Sequence, residues 1–232
     1  MKKTKNFFSG LRRRLGGVSL AALGLALALS WACPPLVPAA SADVDLPAPQ
    51  TEGGIGVFEA LKKRHSAHGG DFSAAEVTLQ ELSTVLWAAS GLNRGQTGWT
   101  VPMAEGLPPY VKVFVAGPEG VFRYDWAGHK LVELSKDNVK GLIADQAFVA
   151  KAYYVLVFAS DNETVSQLKK GKDSAADFIQ VLVGSMTQNV YLAAASLKLG
   201  TRYIHSIREA AIVEAVGLSA GDRPIALMLL GK

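Results

Sequence analysis

The hydrophobic pattern is most continuous between Asp173 and Gly200, where apolar residues surround the helical axis almost completely. A surface helix confines its apolar residues to one stripe, so this pattern predicts a buried central helix. Asp173 or Ser174 can cap its start, and Gly200 can adopt the left-handed conformation that closes its end. A membrane span is disfavoured because polar residues interrupt the run too often. They are Gln180, Thr187, Gln188, Asn189 and Lys198.

Shorter periodic segments predict further helices. Residues 55–64 have one apolar face, formed by Val57, Phe58 and Leu61, and basic residues in the last turn, where cations complement the helix dipole. A short helix is predicted around residues 137–144.

Two capping boxes predict where helices begin. Thr78 and Glu81 have the required spacing before one apolar periodic segment, and Ser206 and Glu209 have it before another. The second of these helices is expected to stop at Gly217.

The β-type segments predict the fold class. They cover residues 110–116, 120–125, 130–134, 152–159 and 225–230, and the second and third form a hairpin around a glycine-containing turn. Strands and helices do not alternate regularly, so we predict an α+β fold, a mainly antiparallel sheet flanked by helices. The long Gly- and Pro-rich segment 92–109 is predicted to be a loop, and loops of this length inside a compact domain are usually functional or disordered.

Residues 1–42 form a predicted signal peptide, with a basic start, an apolar stretch and a small-residue cleavage site before Asp43. The protein is therefore expected to be exported, for example to the periplasm. Arg12 to Arg14 also permit twin-arginine export, and Cys33 lies in a poor lipidation site. An uncleaved leader would be the one link to a membrane.

Removing the leader changes the charge. The whole chain has 24 basic and 20 acidic residues, and the leader takes six of the basic ones and none of the acidic ones. The mature chain then has 18 basic against 20 acidic residues, a net charge of −2, which does not support nucleic-acid binding. The single cysteine leaves with the leader, so no disulfide is expected.

The mature chain is predicted to contain one domain. Residues 43–54 are rich in Pro and Gly and lack periodicity, so they are predicted to be a linker in which nothing packs. Residues 55–232 are long enough for one sizeable core.

The segment KKRHSAH concentrates polar chemistry at a helix end. Arg64, Ser66 and the histidines His65 and His68 offer hydrogen-bond donors suited to a phosphomonoester. A solvated basic helix end is the alternative interpretation. The four histidines lack the spacing of a metal site, and no metal is predicted.

Five motifs in order resemble the nitroreductase family, in particular the branch that includes oxidases of azole-modified peptides. They are LKKRHSAH, LQELSTVLWAASGLNR, TGWTVPMAEG, GVFRYDWAGHKLVEL and SMTQNVYLAAASLKLGTR. The resemblance covers residues from about 58 to 231. It implies an FMN-dependent oxidoreductase, a homodimer that binds flavin at the subunit interface and acts on a small organic acceptor such as a nitroaromatic or a quinone.

The resemblance also implies site residues. The phosphate-binding pattern of the family corresponds to Arg64, Ser66 and His68, with His65 beside them. The loop that lies against the flavin corresponds to residues 99–104, which include Pro102, Met103 and Ala104, and the segment after the central helix corresponds to residues 204–206, which include His205 and Ser206.

Three residues depart from the family pattern. His68 replaces a more basic residue, Trp99 replaces an arginine, and Met103 replaces a small polar residue. These changes leave open an alternative, a non-catalytic binding protein of the same fold that has lost flavin.

Overall fold

The computed structural model of the protein describes residues 43–73, 75–96, 98–169 and 174–232, so the predicted leader and Asp173 lie outside the described residues. A seven-stranded antiparallel sheet forms the centre of this part, in the order β1-β6-β5-β4-β7-β9-β8. Its strands are β1 (Val44–Asp45), β4 (Val111–Gly117), β5 (Gly120–Asp125), β6 (Lys130–Ser135), β7 (Tyr154–Ser160), β8 (Gly200–Ile204) and β9 (Pro224–Gly231). A separate pair is formed by β2 (Leu92–Asn93) and β3 (Gly98–Trp99).

Five α-helices accompany the sheet in the described residues. They are α1 (Val57–Lys63), α2 (Leu79–Ser90), α3 (Asn162–Val165), α4 (Ala175–Leu197) and α5 (Glu209–Val216). The α+β prediction with a mainly antiparallel sheet is therefore confirmed. No helix in the described ranges is long and apolar enough to cross a membrane.

The core lies on both faces of the sheet, because β7 and β9 are buried along their whole length. Strands buried on both faces are continuous apolar runs, as the sequence of these two is. One face packs against α2 and α4, and the other packs against α5 and the segment from Val139 to Ala152.

The predicted central helix is α4, but it is shorter and less enclosed than expected. The helix ends at Leu197, where Lys198 takes the left-handed conformation (φ 60°), and Gly200 instead begins β8 opposite Gly231. Ser174 is the N-cap residue without a side-chain hydrogen bond. Val181 remains 64% exposed, so one face of the helix is exposed to solvent.

The prediction that nothing packs in residues 43–54 is wrong. Val44 pairs with Leu131 of β6, and Leu46 is buried in the core. The backbone N–H of Gln50 donates to Thr84 Oγ1 of α2 at 3.0 Å. These contacts are made by a two-residue strand and an irregular segment, which are too short for a periodic sequence pattern to detect. We call residues 43–54 the strap.

The two predicted capping boxes differ in outcome. Thr78 and Glu81 form the reciprocal box, which confirms the start of α2. The box at Ser206 is wrong, because α5 begins at Glu209 with Arg208 as its N-cap. Ile207 instead forms a β-bridge with Ala144, which holds the chain extended there. The predicted stop of α5 at Gly217 is confirmed (φ 61°).

The helix predicted around residues 137–144 is also wrong. That segment is irregular, and a short 3₁₀ helix follows later, at Ala147–Lys151. The Lys140 ammonium group reaches the carbonyl oxygens of Ala152 and Tyr153 at 2.8 and 3.0 Å, so long-range contacts determine this segment. Burial lowers the pKa of Lys140.

The predicted hairpin of β5 and β6 and the helix α1 are confirmed. The apolar face of α1, however, points to solvent. Phe58 is 86% exposed, and Val57 and Leu61 are also exposed, while Ala60 makes the buried contact.

Candidate functional site

The segment that follows α1 lies along the edge strand β8. The Ala67 amide donates to the Thr201 carbonyl at 2.9 Å, and the Arg202 guanidinium donates to the Ala67 carbonyl at 3.0 Å. Ala67 is buried by this pairing, whereas its neighbours Ser66 and His68 are exposed. The extended backbone thus turns the two polar side chains away from the core.

A buried tyrosine of α4 joins this segment to β8. Tyr191 Oη lies 2.7 Å from Ser66 Oγ and accepts the Tyr203 amide hydrogen at 2.9 Å. The Arg64 guanidinium lies over the Tyr191 ring, 4.9 Å from its centroid, a cation–π contact. We call Arg64, Ser66, Tyr191 and Tyr203 the Tyr191 cluster.

The charge of the Tyr191 cluster suits an anion. Arg64 is half-buried and has no ion pair among the described residues. His65 is exposed, and its Nδ1 donates to the Lys63 carbonyl at 3.0 Å. Asp71 lies nearby, since its Oδ2 accepts the backbone N–H of His68 at 2.6 Å. The arginine is therefore available to pair with an anionic ligand.

His205 and Ser206 lie farther along the same side of α4. The His205 ring is stacked on Tyr203, with 6.4 Å between centroids and 8° between planes. Both residues line an open pocket of about 420 Å³, together with Gln180 and Arg223. Burial raises the pKa of Tyr203, so its phenol stays protonated at neutral pH.

The loop predicted to lie against the flavin is attached to a different side of α4. Asn189 Nδ2 donates to the carbonyls of Ala88 and Thr100, at 3.0 and 3.1 Å. Residues two positions apart on a helix point about 200° apart, so Asn189 and Tyr191 face opposite ways. Within this chain, the loop and the Tyr191 cluster therefore lie on different sides of α4.

The side chains of this loop are partly fixed by their own subunit. Pro102 is exposed, whereas Met103 and Ala104 are half-buried and pack against the core. Trp99 meets Trp126 edge-on, with ring centroids 6.1 Å apart.

Several residues of the site were missed by the sequence analysis. The sequence analysis treated Tyr191 only as one of the apolar residues of the central helix. A buried tyrosine hydroxyl usually has a hydrogen-bond partner, and this was the signal that could have identified it. Gln180 and Arg223 carried no signal, because the tertiary fold alone places them beside His205.

Comparisons with known proteins agree with this architecture. The sequence pattern of the nitroreductase family matches residues 61–232. A nitroreductase-family protein of Methanocaldococcus jannaschii is 32% identical over 187 residues, which are 77% of this chain and 91% of the relative.

Solved structures give the same result. A nitroreductase-family protein from Ralstonia eutropha has a TM-score of 0.75 and 28% identity, over 82% of this chain and 89% of that one. The NADPH:FMN oxidoreductase of Vibrio harveyi, solved with NAD+, has a TM-score of 0.52 and 22% identity, over 75% and 67% of the chains. The fold, the match over most of the chain and the relatives together show that the protein belongs to the nitroreductase family.

Proposed function

We propose that the protein is an FMN-dependent oxidoreductase that acts on a small organic acceptor such as a nitroaromatic or a quinone. The observation that carries this proposal is the Tyr191 cluster, in which a serine hydroxyl lies beside an arginine that forms no ion pair with any described residue. Support also comes from family membership and from the FMN oxidoreductase among the structural relatives. The narrower assignment to the azole-oxidase branch stays a prediction.

The residues present fit the phosphate end of FMN. Arg64 can donate a fork of hydrogen bonds to phosphate oxygens, and Ser66 can add its hydroxyl. Tyr191 orients both, through its hydroxyl and its ring. His68 is exposed beside them and can contribute a further donor. Bound FMN would supply the redox chemistry, while the protein positions the ring and the substrate.

We also propose that the active form is a homodimer. The loop with Pro102, Met103 and Ala104 lies across α4 from the Tyr191 cluster, so a second subunit is needed to bring the two parts to one ligand. Exposed apolar residues on α1 and α4 provide a surface for this association, namely Val57, Phe58, Leu61 and Val181. Burying a patch of this kind favours assembly. In the dimer, we expect the loop to exclude water from the ring.

We infer that the protein is exported and that cleavage occurs before Asp43. This inference rests on the residues of the leader. Cleavage at that position retains the ion pair between Asp43 and Lys130 (2.8 Å) and the pairing of β1 with β6. Sequencing the N-terminus of the exported form tests it, and a start upstream of Asp43 contradicts the assignment.

The cofactor proposal is tested with the visible spectrum of the purified protein, before and after incubation with FMN and removal of the excess. We expect a retained flavin spectrum. Arg64→Ala should lower the affinity for FMN about tenfold or more, because charge-assisted hydrogen bonds are lost.

Lys62→Ala is the matched control, since Lys62 is an exposed cation at the same helix end but outside the predicted pattern. An equal loss in both variants would contradict the role of Arg64. A protein that stays colourless would instead support the alternative, a binding protein of the same fold without flavin.

A further inference from the structure

An open pocket of about 420 Å³ lies where the start of β9 meets the segment that follows β8. Its polar lining comes from three separate parts of the chain, namely Gln180 of α4, the pair His205 and Ser206, and Arg223. All four residues are exposed, so a ligand can reach their side chains. The volume lies in the range of small-molecule sites. We call this space the Arg223 pocket.

The Arg223 pocket and the Tyr191 cluster lie on the same face of α4. Gln180 and Tyr191 are eleven positions apart in this helix, which corresponds to a net rotation of about 20° and a rise of about 16 Å. Tyr203, whose backbone N–H donates to Tyr191 Oη, also stacks its ring on His205. A ligand whose phosphate binds Arg64 can therefore extend along α4 toward this pocket.

The backbone of Arg223 is fixed by a neighbouring strand. Its N–H donates to Ser160 Oγ at 2.9 Å, and its carbonyl oxygen accepts the backbone N–H of Ser160 at 2.9 Å. Pro224 follows it, and a residue before proline is restricted to an extended backbone. The arginine side chain thus starts from a defined point at the edge of the pocket.

The charge of Arg223 is not neutralised by a described residue, since it forms no ion pair with any of them. The adjacent carboxylate of Asp222 is buried and pairs with Lys112 at 2.7 Å. Glu209 is the one acidic residue in the described lining, and it lies in the first turn of α5, where a negative charge complements the helix dipole. It forms no ion pair with Arg223, so the guanidinium remains available to an anion.

The other polar side chains of the pocket add hydrogen-bond donors. Gln180, His205 and Ser206 form no side-chain hydrogen bond with any described residue. Ser206 is released from the capping role predicted for it, since Arg208 is the N-cap of α5. An amide, an imidazole and a hydroxyl can each donate to an oxygen atom. The pocket therefore combines a guanidinium fork with three further donors.

We propose that the Arg223 pocket binds a carboxylate of the acceptor, so that the substrate is a nitroaromatic or quinone that carries an acid group. A guanidinium binds a carboxylate through two parallel hydrogen bonds, and Gln180 and Ser206 can donate to the same oxygens. This inference rests on the proposed function, because it names the substrate class of the same site. Arg223 is in this account a specificity-determining residue that does not bind FMN.

The experiment compares para-nitrobenzoate with para-nitrobenzamide, which has a similar shape and no charge. Both are titrated calorimetrically into the full-length protein, without FMN and again with FMN. We expect para-nitrobenzoate to bind about tenfold more tightly, because charge-assisted hydrogen bonds are stronger than neutral ones. Arg223→Gln should remove this preference. Arg208→Gln is the matched control and should keep it, since Arg208 is an exposed arginine that pairs with Asp145 and does not line the pocket.

A second variant does not rely on a loss of binding. Glu209→Gln removes the carboxylate that repels an anion in the pocket. It should tighten the binding of para-nitrobenzoate several-fold and leave that of para-nitrobenzamide unchanged. Unchanged binding of para-nitrobenzoate in this variant would contradict the placement of its carboxylate in the pocket.

Three further results would overturn the proposal. They are equal affinity of the two probes in the unmodified protein, a preference that survives Arg223→Gln, and a preference that is lost in Arg64→Ala, which would place the carboxylate at the Tyr191 cluster. A fall in FMN affinity in Arg223→Gln would assign this arginine to the cofactor and would also overturn it.

Failure of the proposed function gives a different result. If the protein binds no FMN but prefers para-nitrobenzoate, and Arg223→Gln removes that preference, the cofactor proposal fails and the carboxylate site stands.

Discussion

The two sides of α4 present opposite chemistry to a ligand. On one side, the Tyr191 cluster is open and positively charged, and it borders the edge strand β8. On the other, a cleft of about 330 Å³ lies between the strap and the packed helix α2, and Glu52 at its rim is the ionisable side chain of its lining. A single helix supports both because Asn189 and Tyr191, two residues apart, point in opposite directions.

The difference between the two sides follows from their neighbours. An edge strand leaves backbone groups free, and here those groups hold the polar segment after α1 in place. Beside α2, the strap instead crosses the surface of the two packed helices and is held there by hydrogen bonds to Thr84 and Ser196.

The largest predicted effect is a loss of packing under α4, the helix that the two sides share. Leu182 is fully buried between α4 and the core. Leu182→Ala should lower the free energy of unfolding by about 2–5 kcal/mol, because a cavity replaces buried side-chain atoms. Urea denaturation measures the loss.

The control is Gln188→Ala, an exposed polar residue of the same helix that is not among the apolar residues proposed for the interface, where we expect a change within about 0.5 kcal/mol. Equal losses in the two variants would contradict the assignment of buried and exposed faces of α4.

The second predicted effect is intermediate in size and comes from removing the Tyr191 hydroxyl. Tyr191→Phe leaves the Tyr203 amide without its acceptor and Ser66 without its partner. The free energy of unfolding should fall by about 1–3 kcal/mol, and FMN affinity should fall several-fold if FMN binds at the Tyr191 cluster. Denaturation and FMN titration measure these changes. An unchanged FMN affinity in Tyr191→Phe would contradict the orienting role of Tyr191 toward Arg64 and Ser66.

The smallest predicted effect is a pH dependence of the strap. His129 joins the strap to the core, because its Nε2 lies 2.8 Å from Ser83 Oγ and 3.2 Å from the Pro47 carbonyl oxygen. Its Nδ1 lies 2.9 Å from Tyr124 Oη. Burial lowers the pKa of His129, partly offset by the hydrogen bond to Pro47, so the folded protein favours the neutral ring.

The unfolded chain therefore binds more protons than the folded chain as the pH falls through the ordinary histidine pKa of about 6.5. Stability contributed by the neutral ring is present above that pH and is lost below it. Urea midpoints at about pH 7.5 and about pH 5.5 should differ, and His129→Gln should reduce the difference. An unchanged difference in the variant would assign the pH dependence to other groups.

Local signals in the sequence determined the fold class and several boundaries. The capping box at Thr78, the glycine stop at Gly217 and the hairpin of β5 and β6 are confirmed because each depends on residues close together in the chain. The apolar runs of β7 and β9 likewise indicated strands, which the structure confirms. The order of five motifs was enough to indicate the nitroreductase family, which is confirmed.

Only the tertiary structure decided the features that depend on distant residues. Residues 43–54 pack because they form a strand pair with β6 and a hydrogen bond with α2. Helix α5 begins later than predicted because Ile207 forms a β-bridge with Ala144. For the site, the pattern located Arg64 and Ser66, but their partner Tyr191 lies 125 residues beyond Ser66. A sequence pattern records spacing along the chain, whereas these contacts depend on which faces of α4 and β8 meet in space.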